Sequence, residues 1–193
     1  MEKSPAAPVA GRQGTLDEEA ALVRAARAEP AAFGALYQRY LPRVYGYLRA
    51  RAASDDDAAD LTQQVFLRAL EALPAYRERG LPFAAWLFRI ARNAATDAHR
   101  RRRATVPWDA LPAALQPAAS DDPEAGALRR EALGQLGAAL AALDPDKREL
   151  LALRFAARLT AREIAAVVGK SEGATKKQLA RTLHALKEHY REG

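Results

Sequence analysis

Apolar positions recur three and four residues apart over most of the chain, and nowhere does a two-residue alternation run long enough to build a strand. The pattern predicts an all-α protein. In the first block Thr15 with Glu18 forms a capping-box pattern that opens a helix ending near Glu29 and Pro30. A second helix is predicted from Pro30 to about Ala53, carrying Phe33, Leu36, Tyr37, Tyr40, Val44 and Leu48, with Pro42 expected to kink it. A third starts at the Ser54 N-cap and runs to about Leu73, its apolar stripe being Ala58, Leu61, Val65, Ala69 and Leu73 with Phe66 adjoining. A fourth runs from near Pro82 to Arg103, with Phe83, Leu87, Ile90, Ala94 and Ala98 in line.

Prolines at 107, 112 and 117 then forbid regular helix, so residues 104–126 are predicted to form a connector. Trp108 within it either docks on a partner or covers a patch of a neighbouring domain. The second block predicts helices over about 124–142, 145–157, 161–168 and 172–190. Thr160 with Glu163 is a second capping box, Gly169 is placed to end the helix that follows it, and Ser171 is an N-cap for the last. A short helix, a tight glycine turn and a longer helix make a helix-turn-helix pattern. The expected organisation is a disordered tail over 1–14, a helical domain over 15–103, the linker, and a second helical domain over 127–193.

Charge sharpens this picture. Thirty Lys and Arg against 24 Asp and Glu leave a net charge of +6 over 193 residues, which favours a polyanionic partner only if the charge is clustered. It is clustered on two helices. In the last one, Leu179, Leu183, Leu186 and Tyr190, with Thr175 beside them, are predicted to dock inward. The other side then offers Gly173, Ala174, Lys177, Gln178 and Arg181, with His184 beyond them. Lys176 sits at the border, its amine reaching outward. Small residues allow close approach to a major-groove floor, the long ones can read base edges, and free N–H groups near Ser171 can take a phosphate. Such a partner also explains why positive charge stands at the positive end of a helix dipole. In the fourth helix, Arg89, Arg92, Asn93, Thr96, Arg100 and Arg103 lie opposite the apolar stripe with Trp86 at the edge, a set suited to a single strand with unstacked bases.

The third helix has an unusual face on which Leu67 stands among Asp60, Gln63, Gln64 and Glu71, fit for a protein partner bearing basic residues. The triplet Asp55, Asp56 and Asp57 complements the helix dipole and lacks the spacing of a calcium loop. The chain has no cysteine, which excludes disulfides and thiol chemistry within it, and three histidines with no HExxH, P-loop or GxSxG pattern. Neither an enzyme nor a cofactor is expected. No apolar run is long enough to span a bilayer, and the N-terminal stretch is too short and broken to be a secretory signal, so a cytoplasmic protein is expected.

In this order the segments resemble the extracytoplasmic-function sigma factors, small σ70-type specificity subunits of bacterial RNA polymerase. FGALYQRYLPRVYGYL is similar to their region 2.1, DDAADLTQQVFLRALEALPAYR to region 2.2, FAAWLFRIARNAATDAHRRRR to regions 2.3 and 2.4, and LDPDKRELLALRFAARLTAREIAAVVGKSEGATKKQLARTLHALK to region 4. The resemblance implies a σ2 and a σ4 domain. It also implies that Asp60, Gln63, Gln64 and Leu67 bind the β′ clamp helices of core polymerase, with the β flap as a further contact. Tyr76, Phe83, Trp86, Arg89, Arg92, Asn93, Thr96 and Arg100 would bind the −10 element. Ser171, Gly173, Ala174, Lys176, Lys177, Gln178 and Arg181 would bind the −35 element. An anti-sigma factor is a further implied partner. Gln64 stands where the family usually has an acidic residue, Thr175 where it has an apolar one, and Gln178 where it commonly has a basic one. A helix-turn-helix regulator acting without polymerase is the alternative, and a helical adaptor that binds only proteins a third reading.

Overall fold

Ser54, Asp144, Thr160 and Ser171 each cap the start of a helix in the computed structural model, which describes residues 10–77, 82–103 and 134–192. Helix α1 spans Ala10–Ala28 and α2 Phe33–Arg49, joined by a 3₁₀ turn over Pro30–Ala32. Helix α3 spans Asp55–Ala72 and α4 Phe83–Arg103. In the second block, α5 is described over 134–141, α6 is Pro145–Leu151, α7 is Ala161–Val168 and α8 is Glu172–Glu192. The described residues contain no strand, in keeping with the all-α reading. The connector with Trp108 lies outside the described residues, as do residues 124–133 of the helix expected over 124–142.

Helix α1 starts at Ala10 rather than at Thr15, so residues 10–14 of the expected tail are helical. The Glu18 carboxylate that was to reach back toward Thr15 instead binds Arg39 on α2 at 2.9 Å. Helix α2 ends at Arg49, short of Ala53, and Pro42 is accommodated inside it. Ser54 caps α3, its Oγ accepting the Asp57 N–H at 3.1 Å. Thr160 and Glu163 close both halves of their capping box, at 3.2 Å and 2.7 Å, and Gly169 ends α7 with φ of 72°. A left-handed turn of that kind suits glycine because no Cβ meets the following carbonyl.

Between α6 and α7 the chain widens into a π turn over Ala152–Ala156, closed by the Ala157 N–H donating to the Ala152 carbonyl at 3.0 Å. The extra residue turns Phe155 into solvent, 60% exposed, and Arg158 follows with φ of 54°.

The core of the first block is the stripe read from the sequence: Ala58, Leu61, Val65, Phe66, Ala69 and Leu73 are buried against Phe33, Leu36, Tyr40, Val44 and Leu48. Helix α4 is buried more widely than one stripe. Phe88, Ala91 and Ala95 are as covered as Leu87 and Ala94, while Ile90 and Ala98 stay half-exposed. The reason is a second layer. Helix α7 packs on α4, the π turn packs on α2, and Leu150, Leu153, Leu159, Ile164 and Val167 join one continuous apolar cluster with Tyr47 and Phe88. Small side chains on α4 permit this close approach on two sides.

Candidate nucleic-acid interface

Helix α8 is set by its first turn. Ser171 Oγ accepts the Ala174 N–H at 3.2 Å, and the Thr175 hydroxyl donates to the Ser171 carbonyl at 3.0 Å. Thr175 is fully buried; because its hydroxyl is satisfied one turn back, it serves in a core position that would otherwise suit an apolar residue. The buried stripe continues through Leu179 and Thr182, whose hydroxyl donates to the Gln178 carbonyl at 2.9 Å. Leu183 is therefore not part of the docking face, contrary to expectation: it is 40% exposed. The stripe follows 175, 179, 182, and the next residue is rotated by about 100° toward solvent. The Tyr190 side chain lies outside the described ones.

The opposite side carries Gly173, Ala174, Lys177, Arg181 and His184, all exposed, and half-exposed Gln178. A Cβ added at Gly173 would meet nothing within 4 Å, so the fold itself does not require glycine there. Lys176 is tied to Glu172 at 2.6 Å, and this bond holds the Glu172 carboxyl below its usual range. Lys170 donates to Gln178 Oε1 at 2.9 Å. The helix thus neutralises one of its two N-terminal lysines locally and presents the other outward.

Helix α4 is anchored by a group that periodicity did not single out. Glu19 of α1 is buried; its Oε1 accepts the Phe83 N–H at 2.9 Å, and its Oε2 accepts the Tyr40 hydroxyl. A carboxylate there caps the first turn of α4 from another helix and complements its dipole. Burial, with the Glu19 charge second, pushes the Tyr40 phenol well up. In the sequence Glu19 shares a face with Val23 and Ala26, and a lone acid in an apolar stripe is the signal that could have found it. Tyr76 and Phe83, named as −10 contacts, are not surface residues here. They are 7% and 2% exposed and support Trp86, with ring centroids 5.0 and 5.2 Å from it. Trp86 itself is half-exposed.

Farther along α4, Arg89, Asn93, Thr96 and Arg100 are exposed, and Arg92 half-exposed. The Thr96 hydroxyl turns back to the Arg92 carbonyl at 2.8 Å, and Arg100 pairs with Asp97 at 3.2 Å. Arg89 and Arg92 both reach the second block. Arg89 Nη2 donates to the Ala166 carbonyl at 2.8 Å, and Arg92 Nε lies 3.5 Å from Glu149. On α3, Asp60, Gln63, Gln64, Leu67 and Glu71 form one exposed face, with Leu67 58% exposed. The Asp triplet is used locally: Asp55 pairs with the buried Arg49, and Asp57 accepts the Ser54 hydroxyl at 2.6 Å.

The family model for Sigma-70 region 2 matches residues 36–105, and that for Sigma-70, region 4 matches residues 139–188. The SigD ECF sigma factor of Mycobacterium tuberculosis is 37% identical over 153 residues, which cover 76% of this chain and 71% of the relative. The chain belongs to the ECF RNA polymerase sigma factors. This sigma factor is also 34% identical to BldN of Streptomyces coelicolor over 84% of its own length, spanning 62% of that protein, and 36% identical to CarQ of Myxococcus xanthus over 81% and 88%. Its fold resembles CnrH solved with the cytosolic domain of CnrY, at a TM-score of 0.65, 27% identity and coverage of 88% and 95%. It also resembles Bartonella quintana RpoE solved with the anti-sigma factor NepR, at 0.62, 25%, 82% and 96%. The region 2 match accounts for the first block and weighs against a helix-turn-helix regulator acting alone. Among the described residues no helix is long and apolar enough to cross a membrane.

Proposed function

We propose that this sigma factor directs core RNA polymerase to promoters through three surfaces. The Asp60, Gln63, Gln64 and Leu67 face of α3 docks on the β′ clamp helices, and the second block reaches the β flap. Helix α8 enters the major groove of the −35 element with Ser171, Gly173, Ala174, Lys177, Gln178 and Arg181, and Lys176 at its edge. Helix α4 meets the −10 element with Trp86, Arg89, Arg92, Asn93, Thr96 and Arg100, while Tyr76 and Phe83 hold Trp86 in place from beneath. Bond making in RNA synthesis belongs to the polymerase; this chain contributes sequence choice and strand separation, where base stacking on an aromatic ring contributes about 1–3 kcal/mol per base.

The observation that carries the reading is the first half of α8. One side is buried through Thr175 and Leu179, while the other exposes small and basic residues over a glycine that packing does not need. The solved relatives with anti-sigma factors support a partner of that class, and the site of action is the bacterial cytoplasm.

The test is run-off transcription from genomic promoter fragments with core polymerase and added sigma factor. Initiation at defined sites is expected. Lys177→Ala and Arg181→Ala should lower promoter affinity and each reduce the salt slope by about one unit. Leu67→Glu should abolish co-elution with core polymerase while leaving duplex binding by α8 unchanged. Absence of initiation with a chain that binds core polymerase would overturn the proposal.

A further inference from the structure

The exposed side of the first half of α8 is dominated by hydrogen-bond donors, and local contacts sharpen that bias. Lys177 and Arg181, both exposed, carry no acceptor in their side chains. The Glu172 carboxylate is closed off by Lys176 at 2.6 Å. Ser171 Oγ is engaged by the Ala174 N–H at 3.2 Å. Gln178 is the remaining polar group, and a free amide offers an oxygen and an NH2 side by side. Its oxygen is already held: Lys170 Nζ donates to Gln178 Oε1 at 2.9 Å.

The turn between α7 and α8 puts Lys170 in reach of that amide. Gly169 takes φ of 72°, and the Lys170 N–H then donates to the Ala165 carbonyl at 2.9 Å. This fixes the Lys170 backbone one residue before the α8 cap, with its side chain exposed. An ammonium has three donors and no acceptor. The amide atom facing it is therefore the oxygen, and Nε2 with its two N–H groups is left to meet a ligand.

This orientation changes which base Gln178 suits. An unconstrained glutamine pairs with adenine by accepting from N6 and donating to N7. Beside the Lys170 ammonium, the N6 amino group would bring its own positive edge against a cation. Guanine meets no such conflict, because both O6 and N7 accept. In solvent a bond like that between Lys170 and Gln178 adds little to stability. In a groove that excludes water, the same charge acts with less screening.

We propose that Lys170 is a specificity-determining positioning residue. It holds the Gln178 amide as a donor and so selects guanine over adenine at the base pair that Gln178 meets. The inference rests on the assignment of α8 to the −35 element and deepens it by naming what one position of that surface selects.

The test uses core polymerase with the full chain, transcribing a promoter library whose −35 element is randomised and whose transcripts carry a barcode for that element. Gln178→Ala identifies the base pair by abolishing its preference alone. With the parent, that pair should favour guanine over adenine by about ten-fold, within the range for one bidentate contact. Lys170→Met keeps an unbranched stem without the donor. It should bring adenine to parity with guanine at that pair and leave the other positions unchanged. Lys170→Arg keeps a donor and should keep the preference. In a Gln178→Ala background, Lys170→Met should alter nothing at that pair.

A Lys170→Met protein that keeps the guanine preference and binds every sequence more weakly would make Lys170 a phosphate contact and overturn the inference. So would a parent that favours adenine there, or a Lys170→Met effect that survives without Gln178. Each of these outcomes leaves the sigma reading standing. No initiation from any library member, or initiation indifferent to the −35 sequence throughout, would remove the α8 assignment and this inference with it.

Discussion

Replacing Glu19 by alanine tests the idea that α4 is positioned from outside itself. The substitution removes both acceptors from a buried site, leaving the Phe83 N–H and the Tyr40 hydroxyl without their partner. Each orphaned buried group costs about 1–3 kcal/mol, so the expected loss for the two is roughly 2–6 kcal/mol. For a chain of this size that is a fall in Tm of about 4–24 °C. Glu19→Gln keeps an oxygen for Phe83 and is expected to cost less than half as much. Tyr40→Phe alone should cost about 1–2 kcal/mol. The double variant should be less destabilised than the sum, because no hydroxyl is then left unpaired. Urea unfolding followed by circular dichroism gives all four values. Additive costs, or a Glu19→Ala protein within about 0.5 kcal/mol of the parent, would refute the reasoning.

The two faces of α8 separate in a pair of truncations: Leu179→Ala should cost about 2–4 kcal/mol as a core deletion, whereas Leu183→Ala should stay within about 0.5 kcal/mol, both read from thermal melts. Ser171→Ala removes the N-cap of α8 and should cost about 1 kcal/mol, measurable by the same melts. Arg158→Gly relieves a left-handed residue and should stabilise by up to about 1 kcal/mol. Burial pushes the Tyr47 phenol up to about 12, against the opposing pull of Arg51 and Arg92. Its folded value lies above the unfolded one near 10, so its contribution is complete below about pH 10 and is lost as pH rises toward 12. Unfolding midpoints taken across that window should fall, and Tyr47→Phe should flatten the fall.

Local chemistry carried far along this chain. Periodicity placed the α3 core from Ala58 to Leu73 and left Leu67 outside it, because residues three and four apart must share a face whatever they pack against. The caps at Ser54, Thr160 and Ser171 and the glycine stop at 169 were legible for the same reason: each is settled by atoms within a few residues.

What periodicity could not supply was which neighbour would cover a given face. Thr182 displaced Leu183 from the α8 stripe because a threonine can return its hydroxyl to its own helix and bury its methyl. Tyr76 and Phe83 went inside because Trp86 closed over them, and α4 was covered on two sides because α7 came to rest on its alanines. In the sequence Glu19 is marked only by the apolar stripe it interrupts, and Glu149 looks like an ordinary surface acid. Only the folded chain brings Phe83 to the one, 64 residues away, and Tyr47 to the other, 102 residues away. A buried charge is stable only with its partners in place, and here those partners come from distant parts of the chain.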